Sequence, residues 1–538
     1  MRAHKIITAL LVLAMAVMLL PSCRNRGETY VTTSSGQVQA LVIGLSDKIS
    51  TLDPIGSPTI DAASERIRVL IFNSLVKKNE KFDYVPELAT DIQRADDGLS
   101  YTFKLHDNVK FQDGKPLTSA DVKYTIETVL SSASGKAASF FEGSGESKQG
   151  FVSAVEAPDP LTVIIRLRKP WLGLLSNLVP IAIIPKDSAE SQKTQPLGSG
   201  PFKFVSYNSA QQVIDLEANP NYWEGAPKIG ALRVRVIEDA NALQAELRSG
   251  GVSVAPLPTN LTPDAFKSLG EDPKLQVIPF NGGNVVYLGF NVQSAPLNNV
   301  KLRQAIAYAI DRETIIRNLL LGQAKIAHSI LPEESWAFSP GHTYAYDPAK
   351  AKQLLDEAGF RDPDGDGPQM RFPKPLNFKI SSASAATRQF VDVIVDYLKK
   401  VGIPVTVEML EFNTMLEQLK LGDFQMTTSR WVGGNQDPIF LRDLFHSSEI
   451  PTQTRASRNR SRYKNPELDR ILDEAVNTAD RDKALGLYKQ AQEILSNDLP
   501  MLPLWYPANM VVANKSVGNI KVDASGGWDF VRNLVWSK

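Results

Sequence analysis

The apolar positions fall into short runs whose spacing changes along the chain. Ala40 to Gly44 (ALVIG) predicts a strand, and Leu99 to Leu105 (LSYTFKL) alternates as a half-buried one. Between them, Ile67, Leu70 and Ile71 give the stretch Ala62 to Val76 helical spacing. Phe111 to Lys115 (FQDGK) reads as a turn. Thr118 then opens a helix, with Asp121 completing a capping box. Val122, Ile126, Val129 and Leu130 supply its apolar face. Ser131 to Gly150 is rich in Ser, Gly and Ala and predicts a mobile loop. Further strands are predicted at Thr162 to Leu167, after the Gly198 turn as far as Val205, at Ala231 to Ile237 and at Asn284 to Asn291. The Ala231 strand shows little polar alternation, which predicts burial on both faces.

After Asn298 helices alternate with strands. Lys301 to Ile310 and Arg312 to Leu321 predict helices, the second closed by Gly322. A strand at Leu376 to Ile380 precedes a helix over Thr387 to Val401 with Phe390, Val393, Ile394, Tyr397 and Leu398 on one face; Gly402 ends it. Val405, Val407 and Met409 alternate in the next strand. Thr414 and Glu417 are expected to cap a short helix ending near Gly422, and Phe424 to Thr428 forms the strand that follows. This order predicts a parallel α/β sheet. Helices beginning at Asn465-Pro466 and at Asp480, then an extended apolar run from Leu502 to Val512, complete the half.

The sequence SRWVGGNQDP, Ser429 to Pro438, therefore leaves the carboxyl end of a parallel strand, where open α/β sheets bind ligands. It sets Trp431 between Arg430 and the bare backbone of Gly433 and Gly434, with Asn435 and Asp437 following. A large ring, open backbone and convergent polar groups suit a small ligand. A surface turn with a half-buried Trp is the competing reading.

The first 22 residues read as a signal rather than as part of the fold. Arg2 and Lys5 precede an apolar run from Ile6 to Leu20, too short for an ordinary spanning helix and of signal-peptide length. Leu20-Pro21-Ser22-Cys23 resembles a bacterial lipobox, with Pro21 an unusual choice within it. Cys23 is the single cysteine, so a disulfide within the chain is excluded and lipidation is its expected use. A lipidated Cys23 holds more than one acyl chain, enough for stable anchoring. Residues 23–37 are expected to be a flexible tether. The remainder has no later run of 18 apolar residues.

Lys+Arg and Asp+Glu both number 59, so the formal net charge is zero and the basic excess of a nucleic-acid protein is missing. The five histidines (His4, His106, His328, His342 and His446) are scattered, with no metal-ligand spacing. P-loop, G-x-G-x-x-G and G-x-S-x-G signatures are missing, and the only thiol is accounted for. Asp362, Asp364 and Asp366 with Gly367 begin like a calcium loop, but the twelfth position is Pro373 where a bidentate Glu is needed. No cofactor and no resident metal are expected, and no catalytic residue set emerges.

Motifs spread over nearly the whole mature length resemble family 5 extracellular solute-binding proteins, the peptide-, nickel- and oligosaccharide-binding subunits of ABC importers. They are TLDP at Thr51 to Pro54, PELATDIQRADDGLSYTFKLHDNVKFQDGKPLTSADVKYTIE at Pro86 to Glu127, PLGSGPFKF at Pro196 to Phe204 and NPNYWEGAP at Asn219 to Pro227. YLGFN at Tyr287 to Asn291, VKLRQAIAYAIDRETI at Val300 to Ile315 and YKNPELDRILDEA at Tyr463 to Ala475 complete the set.

The resemblance implies an α/β protein of two lobes, of the periplasmic-binding-protein type II kind. Lobe I would span 38–288, with a subdomain inserted at about 58–196, and would regain the chain at 508–538; lobe II would span 289–507. Ligand would bind between the lobes, with Tyr287, Arg430, Trp431, Gly433, Gly434, Asn435 and Asp437 at the site. The closed form would dock on a membrane permease with its ATPases, and the chain itself would be a monomer that performs no catalysis.

Peptide-binding members read W-x-x-D-x-x-D/E-P at this site, the first Asp pairing with the peptide amine. Aligning Trp431 and Asp437-Pro438 puts Gly434 at that Asp position. The Arg that takes a dipeptide carboxylate, expected soon after Leu376 to Ile380, is replaced by SSASAATR, with Arg388 the nearest. The usual Asp of lobe I is Ser253. An oligosaccharide-like ligand stacking on Trp431 therefore stands beside a peptide. A lipoprotein hydrolase whose groups meet only in the fold and a sensory receptor without transport are the readings from other classes.

Overall fold

The computed structural model describes residues 29–56, 61–142, 149–365, 369–382, 385–431, 437–453, 457–478 and 480–537. Two large mixed sheets dominate. In spatial order the first contains Phe202–Asn208, Val213–Ala218, Ala231–Val236, Gly36–Leu45, Val254–Pro256, Asn509–Asn514 and Leu275–Phe280, with Thr29–Thr33 paired to Gly36–Leu45. The second contains Ala324–Ile326, Met501–Pro507, Val285–Phe290, Met426–Trp431, Leu376–Ser381 and Val405–Leu410. A third, antiparallel sheet of four strands, Ala89–Arg94, Ser100–Leu105, Thr162–Leu167 and Val152–Asp159, shares one apolar core with the first.

The second sheet carries the strand order expected from its pattern. Leu376–Ser381 runs parallel to both Val405–Leu410 and Met426–Trp431, and the helix Ala385–Lys400 makes the crossover. Val285–Phe290 lies antiparallel to Met426–Trp431 in the middle of the sheet. Its successive side chains serve opposite cores: Val286, Leu288 and Phe290 one, Val285 and Tyr287 the other. That is why NVVYLGFN lacks polar alternation.

The chain crosses between the large sheets twice. It leaves the first after Phe280 and enters the second at Val285, a few residues ahead of the 288/289 division expected from sequence. It returns between Pro507 and Asn509. The crossings lie side by side, since Asn284 Nδ2 donates to Asn509 Oδ1 at 3.1 Å. Gly282 permits this approach, because a Cβ there would stand 1.6 Å from Asn509 Nδ2. Gly198 and Gly200 serve the helix Ala62–Ile71 in the same way. A Cβ on Gly198 would meet Ile71 O at 2.2 Å, and Gly200 N–H donates to that carbonyl at 2.8 Å. The GSG of PLGSGPFKF thus seats the end of a helix that lines the cavity described below.

Four expectations are revised. Thr29–Thr33 is a strand whose Val31 is buried, so residues 29–37 are not a flexible tether; Ser34 and Ser35 turn the chain, and Glu217 accepts from Ser34 N at 2.7 Å. Ala231–Val236 buries Leu232 and Val234 on one face, but on the other only Ala231 is fully buried, because Arg233 pairs with Asp215 at 2.7 Å and Arg235 with Glu246 at 3.3 Å. The charge partners lie on neighbouring elements, which a local window does not see. The expected mobile loop after Ser131 holds a helical turn, Gly135–Ala138, and a short pair, Phe141–Glu142 with Gln149–Gly150. The helix Phe412–Leu421 is capped by Glu411, which accepts from Asn413 and Thr414 N–H, rather than by Thr414.

The Thr118–Asp121 capping box and the caps at Asn465 and Asp480 are present as read. Asp362 accepts from the N–H groups of Asp364 and Gly365 and faces Arg371 at 3.4 Å; Asp366 and Gly367 lie outside the described residues. Among the described residues no cluster of three His, Cys, Asp or Glu is placed to hold a metal, and no helix is long and apolar enough to cross a membrane.

Candidate ligand-binding site

Trp431 ends the strand Met426–Trp431 at its carboxyl edge, where the parallel-strand argument put it. It is half-buried. Its ring stacks on Tyr287 at 5.7 Å and 13° and takes the edge of Phe440 at 5.2 Å and 84°. The Arg460 guanidinium stands 5.7 Å from its centroid, a cation–π distance. The indole Nε1–H is buried with no hydrogen-bond partner among the described residues. Tyr287, at 3% exposed, is the floor beneath Trp431 and not an open wall.

Arg430 remains exposed beside Trp431. Desolvation by the surrounding protein holds its guanidinium below the ordinary value, against the pull of Asp47. Asp47 lies just past the first sheet's Gly36–Leu45 strand and faces Arg66 at 3.5 Å, so one carboxylate serves a cation from each half. Asp437 accepts from Tyr84 Oη at 2.5 Å and from Ile439 N at 2.9 Å. Burial lowers the pKa of nearby Lys78, and Asp437 counters it. Gly433, Gly434, Asn435 and Cys23 lie outside the described residues.

A cavity of about 450 Å³ opens next to the two crossings. The helix Ala62–Ile71 contributes Arg66 and Arg68, the next strand Lys77 and Lys78, and the crossings Asn284 and Asn509. Glu87 and the segment Ala524 to Asp529 close it. Its size matches a small-molecule pocket. Arg68 is committed elsewhere, to Glu65 at 2.5 Å and Ser74 Oγ at 3.1 Å. Burial works against the Glu65 charge, but Arg68 and Lys136 overcome it and hold its carboxyl below the usual range.

Sequence reasoning missed this cavity. Its polar groups come from positions near 66, 78, 87, 284, 509 and 529, which only the fold assembles. One local signal was available. Gly526-Gly527-Trp528-Asp529 repeats the composition of the Trp431 stretch, a Trp beside paired glycines and an acid.

The sequence pattern of the bacterial extracellular solute-binding proteins, family 5, middle region, matches residues 83–452. The oligopeptide-binding protein AppA of Bacillus subtilis is 30% identical over 495 residues, covering 87% of this chain and 88% of that protein. Heme-binding protein A of Haemophilus influenzae is 30% identical over 533 residues, with coverage of 92% and 93%. Among solved structures, NikZ from Campylobacter jejuni with Ni(L-His) superposes with a TM-score of 0.74 at 26% identity, over 92% of this chain and 99% of that one.

Proposed function

This chain belongs to the bacterial extracellular solute-binding proteins of family 5, and from that premise we propose that it is the lipid-anchored receptor of an ABC importer, taking a peptide or similar-sized solute between its halves. A substrate-binding role and the two-lobed type II fold come with the family. The ligand, the anchor and the site residues are the proposed part.

The observation that carries the site is the cavity of about 450 Å³ beside the two crossings, with Lys78 on its wall coupled to Asp437 beyond Trp431. In this reading the lobes are the two large sheets, and the subdomain inserted in lobe I carries the four-stranded sheet. Ligand enters between the lobes, rests against Trp431, Arg430 and Asp437 on one side and the cavity wall on the other, and is enclosed by hinge closure. The closed form then docks on the permease. Acylated Cys23 keeps the receptor near that permease. The chain acts by binding and release, as a monomer, without catalysis and without a cofactor.

Native mass spectrometry of the protein as purified tests the proposal. A co-purifying small solute, released on unfolding and chemically unchanged, supports it. Turnover of an added ester or peptide substrate would replace it with a hydrolase. A permease or ATPase gene beside this one would favour import, and a sensor kinase gene beside it would favour a sensory receptor.

A further inference from the structure

We propose that the outer face of the N-terminal hairpin, Thr29–Thr33 with the first residues of Gly36–Leu45, is a membrane-contact surface, turned toward the lipid by the short chain that joins it to the acyl anchor. The inference goes beyond the receptor reading and rests on its acylated Cys23.

Chain length supplies the first argument. Five residues, Arg24 to Glu28, separate Cys23 from the strand Thr29–Thr33. Fully extended, that distance is about 20 Å. Had residues 23–37 all been free, the reach would have been about 50 Å. A folded chain of this length has a radius of gyration of about 23 Å and is about 60 Å across. The longer tether would let the protein present any side to the bilayer. The shorter one holds Thr29 close to the lipid surface and keeps the far side of the molecule away from it.

The hairpin can bear that constraint because it is fixed to the first sheet. Thr29 to Thr33 pair in register with Ala40 back to Gly36. Val31, at 1% exposed, packs with Ala40 and Ala231. Ser34 N and Oγ donate to Glu217 at 2.7 and 3.0 Å, which ties the turn to the strand Val213–Ala218. Thr33 Oγ1 donates to Gly36 O at 2.9 Å and closes the turn itself.

The chemistry of the outer face is a second, independent argument. Burying Val31 turns Tyr30 and Thr32 outward, and their cross-strand partners Gln39 and Gln37 lie on the same face. All four are exposed, Tyr30 at 47%. None of these side chains is an ionised group, so headgroups can approach without desolvating a charge. Tyrosine joins an apolar ring to a polar tip, and such residues are favoured at the boundary between membrane and water. Arg24 and Arg26 against Glu28 give the connecting chain one net positive charge, which attracts anionic headgroups. The half that carries the hairpin is then the one held at the membrane, and the other half moves relative to it about the two crossings.

The test uses the full-length acylated protein in phosphatidylcholine vesicles that carry a spin label on the headgroup, with no permease present. Acylation consumes the only native thiol, so one introduced cysteine takes a fluorophore alone. Labels are placed at Thr32→Cys or Gln37→Cys on the hairpin, and at Thr406→Cys on Val405–Leu410, the outermost strand of the second sheet. Quenching is expected to be at least threefold stronger at either hairpin site than at Thr406→Cys. It should fall at least twofold at the hairpin when about twenty Gly/Ser residues are inserted between Glu28 and Thr29. Equal quenching at the three sites overturns the inference, as does hairpin quenching that the insertion leaves unchanged. Quenching that appears only at high protein density overturns it too, by making a second copy of the chain the partner. Protein that mass spectrometry shows to lack acyl chains overturns the anchor and the inference together. Acylated, vesicle-bound protein without the difference between sites overturns the inference and leaves the anchor standing.

Discussion

Tyr84 Oη donates to Asp437 at 2.5 Å, joining residues 353 positions apart and linking the strand Tyr84–Pro86 to the segment that follows Trp431. The bond is short and charge-assisted. Burial, then Asp437, pushes the Tyr84 phenol well above its usual value, so it remains a donor at any working pH. Arg481 and Asp83 form an ion pair across the same boundary, and Leu172 N–H donates to Val476 O at 3.4 Å.

Tyr84→Phe removes that bond and leaves Asp437 with the Ile439 N–H and the field of Lys78. We expect ligand affinity to fall by about 1–2 kcal/mol, roughly tenfold, the scale of a hydrogen bond to a charged group. Small-angle scattering should show a larger radius of gyration without ligand. Affinity and scattering both unchanged would mean that the contact does not contribute to closure.

Trp431 rests on a buried Tyr287 and carries an indole N–H with no partner among the described residues. Trp431→Ala is expected to weaken ligand binding by roughly 1–3 kcal/mol, the scale of burying a large aromatic surface. Calorimetry with the co-purified solute decides it. An unaltered affinity would remove Trp431 from the pocket.

Glu87 makes stability depend on pH. Its carboxyl, ordinarily near 4.5, is pushed up to about 7 by burial and by Asp529. Between those values the folded chain keeps a proton that the unfolded chain has lost. Stability therefore falls as pH rises through that window and levels off above it. The loss is up to about 3 kcal/mol at the usual scale for a displaced titration. Urea unfolding from pH 4 to 8 should show this slope in the natural protein and lose it in Glu87→Gln. Parallel slopes in the two proteins would assign the pH dependence to other groups.

Cys23→Ala removes the proposed acylation. The protein should move from the membrane pellet to the soluble extracytoplasmic fraction with its fold and affinity intact, because the several acyl chains on Cys23 supply the anchoring energy. Continued pelleting after a carbonate wash would point to a different means of attachment.

The second sheet was the most legible part of the fold. Its helices carry unbroken apolar faces, such as Phe390, Ile394 and Leu398, and its strands are separated by short, well-capped connections. The first sheet was harder. Gly36–Leu45 finds its parallel partner in Ala231–Val236, far along the chain, and Arg233 and Arg235 are explained only by Asp215 and Glu246. At the site, Trp431, Arg430 and Asp437 were visible because one short stretch holds them. Glu87 was quoted within a family motif but looked like an ordinary surface acid. Its burial arises from Asn73 and Ser74, whose helix end is seated by glycines more than a hundred residues later. Spacing in one dimension does not contain that information.

Two strand ends passing side by side, pinned by Asn284 to Asn509, behave like a door hung on two adjacent pins. Sliding would stretch one crossing and buckle the other, whereas rotation about the line through both leaves their lengths unchanged. The relative placement of the two halves is then described by a single angle. In the receptor proposed above, whatever is bound would be reported outward as the value of that angle, and a permease would read occupancy without touching the solute. The same frame can therefore be refitted with a new set of side chains facing the cavity while its output stays in the same form.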